Sequence, residues 1–117
     1  TLLLTHIPIL TISVLDTGLE KDGTMKVGGG VLFTDWPRVK GVLNANPQVK
    51  TVISGHMHRL DRVDFQGVTH YCNGAVSGNW WKGRHHEAGE GYTVVDLYED
   101  GSVERKYVEF GWKAEKE

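Results

Sequence analysis

Two short apolar segments that each run into a histidine constrain the fold of this chain more than any other feature. Residues 1–5 precede His6, and residues 51–54 precede the run Gly55-His56-Met57-His58. Neither segment alternates polar with apolar residues, which is typical of strands in a sheet covered on both faces. Sheets of parallel strands place their ligands at the carboxyl ends of the strands. Since imidazole is the commonest protein ligand for transition metals, the three histidines predict a metal site there.

The segment between the two histidine sites predicts a helical crossover. Residues 16–30 read as a glycine-rich loop, and a helix is expected over residues 35–45 with Thr34 as its N-cap. Four side chains form the apolar face of this helix: Trp36, Val39, Val42 and Leu43. A strand over residues 49–54 follows the helix. The first two strands are therefore expected to be parallel neighbours joined by this crossover.

The rest of the chain changes character and predicts two antiparallel hairpins, which turn at Gln66-Gly67 and at Asp100-Gly101. Their strands are expected over residues 60–66 and 68–72 for the first hairpin, and over 91–98 and 102–110 for the second. These segments alternate polar and apolar residues, as strands with one solvated face do. The charged tail 113–117 is expected to fray. The predicted fold class is α+β, with parallel-type strands and one crossover helix followed by antiparallel hairpins.

With 117 residues, 39% of them hydrophobic, the chain is expected to form one domain or part of one. Its formal net charge of −2 gives no broad attraction to nucleic acid. No apolar run approaches the roughly 20 residues of a membrane span. The chain starts at Thr1 rather than at a methionine, so we expect a piece of a longer protein, whose localisation stays open. The single cysteine, Cys72, is interpreted as a small buried residue.

The spacing of His56 and His58 bears on the number of ions. We interpret two imidazoles separated by one residue as poor chelators of one ion, with each serving one of two neighbouring ions. This favours a dinuclear site over a mononuclear one. A pair of surface histidines in a polar turn is the plain alternative.

Three stretches together give a resemblance to a known family. They are Thr5-His6-Ile7-Pro8, then Ser54-Gly55-His56-Met57-His58-Arg59, and then residues 73–83. This pattern resembles the calcineurin-like metallophosphoesterases, in particular bacterial ones. The resemblance implies that residues 1–117 are the C-terminal portion of a four-layer αββα sandwich. It also implies that His6 and His56 bind the second of two divalent ions (Mn, Fe, Zn, Co or Ni), and that His58 binds the first.

The implied activity is hydrolysis of a phosphoester by a water activated between two metal ions. The substrate would be a phosphomonoester or phosphodiester, cyclic nucleotides included. The family's earlier motifs, Asp-x-His, Gly-Asp-x-x-Asp and Gly-Asn-His-Asp/Glu, are absent from the chain. They supply the bridging aspartate and the proton-donating histidine, so no catalytic residue is assigned within this chain. Asp61 and Asp64 are interpreted as solvent-facing charges rather than as replacement ligands. We therefore expect this chain alone to bind metal weakly and to hydrolyse little.

Secondary assignments concern the substrate and two further histidine sites. Asn79 and Trp80 are candidates for substrate binding, through a phosphate contact and through stacking on a ring. The alternative is that Trp80 and its neighbour Trp81 are both structural. The run His85-His86-Glu87 reads as a solvated loop in preference to a separate metal site, and His70 reads as structural.

Two other functions stay open at this level. In one, the chain is a separate module that binds a single zinc ion through His6, His56 and His58. In the other, it is an inactive fragment that needs its missing N-terminal half and associates through exposed sheet edges.

Overall fold

The computed structural model describes residues 1–115 and has a mixed α+β fold with more sheet than helix. Its larger sheet has four strands in the order β1-β2-β4-β3, and a separate two-stranded sheet pairs β5 with β6. The strands are β1 Leu2–Leu4, β2 Thr51–Ser54, β3 Asp61–Phe65, β4 Val68–Cys72, β5 Gly91–Leu97 and β6 Val103–Glu109. The α+β class predicted from sequence is thus confirmed. Part of the tail predicted to fray, residues 116–117, lies outside the described residues.

Three parallel strands form the centre of the larger sheet. β1 pairs with β2 through Leu3 and Val52, and β2 pairs with β4 through Val52 and His70, both in parallel. The helix α1, Trp36–Ala45, lies between β1 and β2 in the chain, so the predicted crossover is confirmed. The first strand was expected to be buried on both faces, and this prediction was wrong at Leu4, which is 68% exposed.

The helix packs on the sheet with a narrower apolar face than its sequence predicts. Ile9, Val52 and Val68 form a small buried cluster. Two partly buried helix residues, Trp36 and Val39, pack against it together with Phe33 from the preceding loop. Leu43 is buried as expected, but Val42 is 57% exposed. The N-cap is Asp35 rather than Thr34, and its side chain makes no capping hydrogen bond.

Both hairpins form where their turn residues predicted them. β3 and β4 are antiparallel across Gln66-Gly67, whose φ angles of 50° and 79° suit the type I′ turn that matches the twist of the strands. β5 and β6 are antiparallel across a turn in which Gly101 has a φ of 85°. Arg105 on β6 donates to the carbonyls of Asp61 (3.1 Å) and Cys72 (3.0 Å), and this guanidinium ties the second hairpin to the first.

Asp61 is a buried anchor, which corrects its interpretation as a solvent-facing charge. It is 5% exposed, and its Oδ2 accepts hydrogen bonds from the Thr11 hydroxyl and from the backbone N–H of Ile12 at 3.2 Å. These bonds fix the start of a short 3-10 helix, Ile12–Thr17, that overlaps the predicted loop. Asp64 is exposed as expected and pairs with Arg62 at 2.9 Å.

The two aspartates of β3 should therefore differ in their contribution to stability. Asp61→Ala is expected to lower the free energy of unfolding by about 1–3 kcal/mol, because it leaves the Ile12 N–H without its acceptor and the Thr11 hydroxyl with Ser13 Oγ alone. Asp64→Ala removes an exposed ion pair that solvent screens, so the free energy of unfolding should stay almost unchanged. Urea unfolding of both variants followed by circular dichroism measures the difference. Equal midpoints would contradict the anchoring role of Asp61.

The described residues contain no helix that is both long and apolar enough to cross a membrane. Within residues 1–115, β1 and β3 each pair on one side only, so both edges of the larger sheet are open.

Candidate metal centre

The parallel pairing of β1 and β2 brings His6 and His56 to the same edge of the sheet. Hydrogen bonds continue beyond the strands, from Thr5 N–H to the Ile53 carbonyl (2.9 Å) and from Gly55 N–H to the His6 carbonyl (3.2 Å). Each histidine lies two residues after the end of its strand. The matching register therefore places the two imidazoles side by side.

The two ring nitrogens that face each other are 2.9 Å apart, between Nε2 of His6 and Nδ1 of His56. The rings meet edge to face, with centroids 4.7 Å apart, and both residues are exposed. Two imidazole nitrogens that bind one ion at about 2.0–2.1 Å are separated by roughly 3 Å. The separation is that of a hydrogen bond between the two rings, and it is also close to the separation of two ligands on one ion.

His58 points away from this pair. Its Nδ1 donates a hydrogen bond to the Gly78 carbonyl at 2.7 Å, and its ring lies 4.5 Å from the Trp80 ring. An imidazole held in this way keeps the lone pair of Nε2 for another partner. Metal-binding histidines commonly donate their other ring N–H to a carbonyl in the same manner.

The side chains of His56 and His58 point in different directions because the backbone between them is not extended. An extended chain puts residues two apart on the same side. Here both histidines adopt left-handed backbone conformations, with φ of 67° and 53°. Such values are uncommon outside glycine, and runs of them gather at functional sites. The compact turn therefore sends one imidazole to His6 and the other to the Gly78 loop.

Within the part of the chain that the structure describes, no three His, Cys, Asp or Glu side chains form a group that could hold a metal ion. The structure brings His6 and His56 together and leaves His58 apart. It also follows that no carboxylate of residues 1–115 joins the His6–His56 pair.

Arg59 ties the histidine turn to two other loops, a contact that sequence reasoning missed. Its side chain, 11% exposed, pairs with Asp16 and with Glu87, where Nη2 and Oε1 are 2.5 Å apart. The hydrogen bond from Arg59 lowers the pKa of Glu87 to about 2, so this carboxylate stays ionised at neutral pH. The residues that pair are far apart in sequence, and single charges in loops carry no pattern that predicts such contacts.

His85 lies nearer the candidate site than a solvated loop would place it. Its ring centroid is 6.0 Å from that of Trp80 and 6.2 Å from that of His58. Burial lowers the pKa of His85, and the neighbouring His86 and His58 lower it further. A neutral imidazole is therefore held beside His58 and Trp80.

The proposed substrate residues occupy the loop that carries Gly78. The Trp80 side chain is 63% exposed beside His58, and Trp81 is 47% exposed and packs on Trp112 with ring centroids 5.2 Å apart. Asn79 is half-buried, and its backbone N–H donates to the Gly83 carbonyl at 2.9 Å. The loop thus presents an open indole face next to one histidine.

Cys72 is fully buried at the end of β4, as expected of a small structural residue. Burial raises the pKa of its thiol to about 11, which leaves it protonated and unreactive at neutral pH.

Comparison with models of protein families, with curated proteins and with solved structures returned no match.

Proposed function

We propose that this chain is the C-terminal portion of a calcineurin-like metallophosphoesterase domain, of the four-layer αββα type, and contributes three ligands to a dinuclear metal site that hydrolyses phosphoesters. The observation that carries the proposal is the 2.9 Å approach of His6 Nε2 and His56 Nδ1 at the carboxyl edge of two parallel strands. This edge is where open α/β sheets place their sites.

Each histidine has a distinct role in the proposal. His6 and His56 hold one divalent ion between them, and His58 offers its Nε2 to the other, because its Nδ1 is committed to the Gly78 carbonyl. Once bound, the ions would supply an activated water and neutralise charge on the phosphoester. Mn, Fe, Co, Ni and Zn all suit such ligands.

The substrate contacts in the proposal come from the loop that follows β4. Trp80 presents its exposed indole beside His58, where an aromatic or heterocyclic group of the phosphoester would stack. Asn79, which precedes Trp80 in the chain, would contact the phosphate. The proton donor and bridging carboxylate belong to segments that this chain does not contain, so the partner here is a small phosphoester and the site is partial.

The proposal is tested by metal binding and by hydrolysis together. The purified chain should bind Zn²⁺ or Mn²⁺ weakly and release little p-nitrophenol from bis(p-nitrophenyl) phosphate, since neutral imidazoles alone offset none of the ions' charge. The same assay is then run on the chain extended upstream through its own coding sequence. Extension should add tight binding of two ions and metal-dependent turnover. An extended protein that binds metal without turnover, or neither, would contradict the proposal.

A second candidate function follows from the pairing of only two of the three imidazoles. In this alternative the His6–His56 pair binds a single ion with no catalytic role, and His58 is a structural residue of the Gly78 loop. One ion per extended chain, unchanged by loss of His58, would favour it.

A further inference from the structure

A second concave site lies at the opposite end of the larger sheet from the histidines. A cavity of about 200 Å³ opens between the second half of α1 and the β3–β4 hairpin. Residues just before β2 and β4, among them Lys50 and Gly67, line it. His56 follows the other end of β2, so this cavity is separate from the candidate metal centre.

The cavity combines an aromatic wall with positive charge. Trp36 and Phe65 line it and contact each other, with ring centroids 6.0 Å apart. Lys40 and Lys50 also line it, and the Lys40 ammonium lies 5.5 Å from the centre of the Phe65 ring. No Asp or Glu lines the cavity, and neither lysine forms an ion pair within residues 1–115. Among residues 1–115, no carboxylate is therefore paired with the ammonium groups of this wall.

His70 gives the cavity wall a buried polar group. It is 2% exposed on the central strand β4, and its Nδ1 has no hydrogen-bond partner among the described residues. Burial lowers the pKa of this imidazole, so it is neutral at pH 7 and offers one donor and one acceptor. Buried polar atoms without partners are rare in folded proteins and call for an explanation.

We propose that this cavity binds a small anion built on one aromatic ring, of the aromatic monocarboxylate class. Its ring would pack on Trp36 and Phe65, its charge would lie at Lys40 and Lys50, and His70 would supply a neutral polar contact. The size agrees, because a cavity of about 150 Å³ encloses one benzene ring. A cavity of about 200 Å³ leaves room for one further small group.

The test uses benzoate as the probe and benzamide as its uncharged counterpart. The chain is labelled with ¹⁵N and titrated in the presence of EDTA, so that binding at the histidine edge does not contribute. Benzoate should shift the amide signals of Lys40, Gln66 and His70 in a saturable manner. Benzamide should bind at least about fivefold more weakly, because it lacks the charge that the lysines attract.

Variants make the assignment specific. The double variant Lys40→Gln and Lys50→Gln should lose saturable binding of benzoate, whereas Lys21→Gln, in the exposed loop, should bind as the unaltered chain does. His70→Gln should weaken binding; if burial makes that variant unfold, the lysine variants still decide the matter. Equal affinity for benzoate and benzamide, unchanged binding by the double lysine variant, or an absence of saturable shifts would overturn the proposal.

Discussion

His6→Ala is expected to reduce the affinity of the His6–His56 pair for Zn²⁺ by about 100-fold. Removing a group that merely orients a metal ligand costs roughly 10–100-fold in affinity, so removing a ligand itself should cost at least as much. His56→Gly should have the same effect. Glycine is the suitable replacement because His56 has a φ of 67°, which glycine adopts without strain.

A double-mutant cycle shows which imidazoles share an ion. If His6 and His56 bind the same ion, the double variant should bind no more weakly than either single variant, so the two effects are strongly non-additive. His58→Gly should instead remove a separate, weaker binding event and add to the effect of His6→Ala. Calorimetric titration with Zn²⁺ measures all of these affinities.

His86→Ala is the matched control for the cycle, because His86 is an exposed histidine with no contact to the pair. It should leave the affinity unchanged. Unchanged affinity in His6→Ala, or full additivity of His6→Ala and His56→Gly, would contradict a shared ion. Both histidines are exposed, so the substitutions should not unfold the chain.

The sequence predicted those parts of the fold that depend on local signals. The two hairpins follow from Gln66-Gly67 and Asp100-Gly101, where a glycine with positive φ separates two segments of strand pattern. The crossover follows from the order of a strand, a helix and a second strand, for which parallel pairing is the usual outcome. By contrast, the parallel pairing of β2 with β4 joins segments whose sequences carry no signal of each other.

Burial was harder to predict than secondary structure, for a physical reason. Asp61 and Asp64 lie on the same strand and look alike in sequence. Thr11, fifty residues earlier in the chain, donates to Oδ2 of the buried Asp61, whereas Oδ1 has no hydrogen-bond partner among the described residues. A polar residue is buried when a partner elsewhere satisfies it, and no local pattern shows that partner.

Only part of the candidate site was predicted, because the rest depends on partners that no local pattern shows. Matching strand-end contexts brought His6 and His56 together, as parallel neighbours require. The placement of His58 depends instead on the Gly78 carbonyl, and that of His85 on the loop beyond it. These contacts arise from the folded loop of residues 73–90, which has no regular strand or helix. Hydrophobic periodicity therefore says nothing about its path.

Gly78→Ala is expected to lower the free energy of unfolding by about 3 kcal/mol. Gly78 has a φ of 49°, and alanine in this left-handed region costs about 1–2 kcal/mol. A Cβ would also lie 2.8 Å from the Gly83 carbonyl oxygen and 2.9 Å from the Glu90 backbone nitrogen. Both contacts are with backbone atoms, which cannot turn aside as a flexible side chain would, and such overpacking adds about 1–3 kcal/mol.

Gly23→Ala separates the two contributions to this cost. Gly23 has a φ of 82°, but a methyl group added there would meet no atom within 4 Å, so only the backbone cost of about 1–2 kcal/mol applies. Urea unfolding of both variants gives the difference. Because the Gly78 carbonyl accepts from His58, the substitution should also shift the His58 ring signals in ¹H–¹³C spectra, whereas Gly23→Ala should not. A Gly78→Ala cost no larger than that of Gly23→Ala, with His58 unmoved, would mean that the Gly78 loop yields to the methyl group and does not hold this histidine in place.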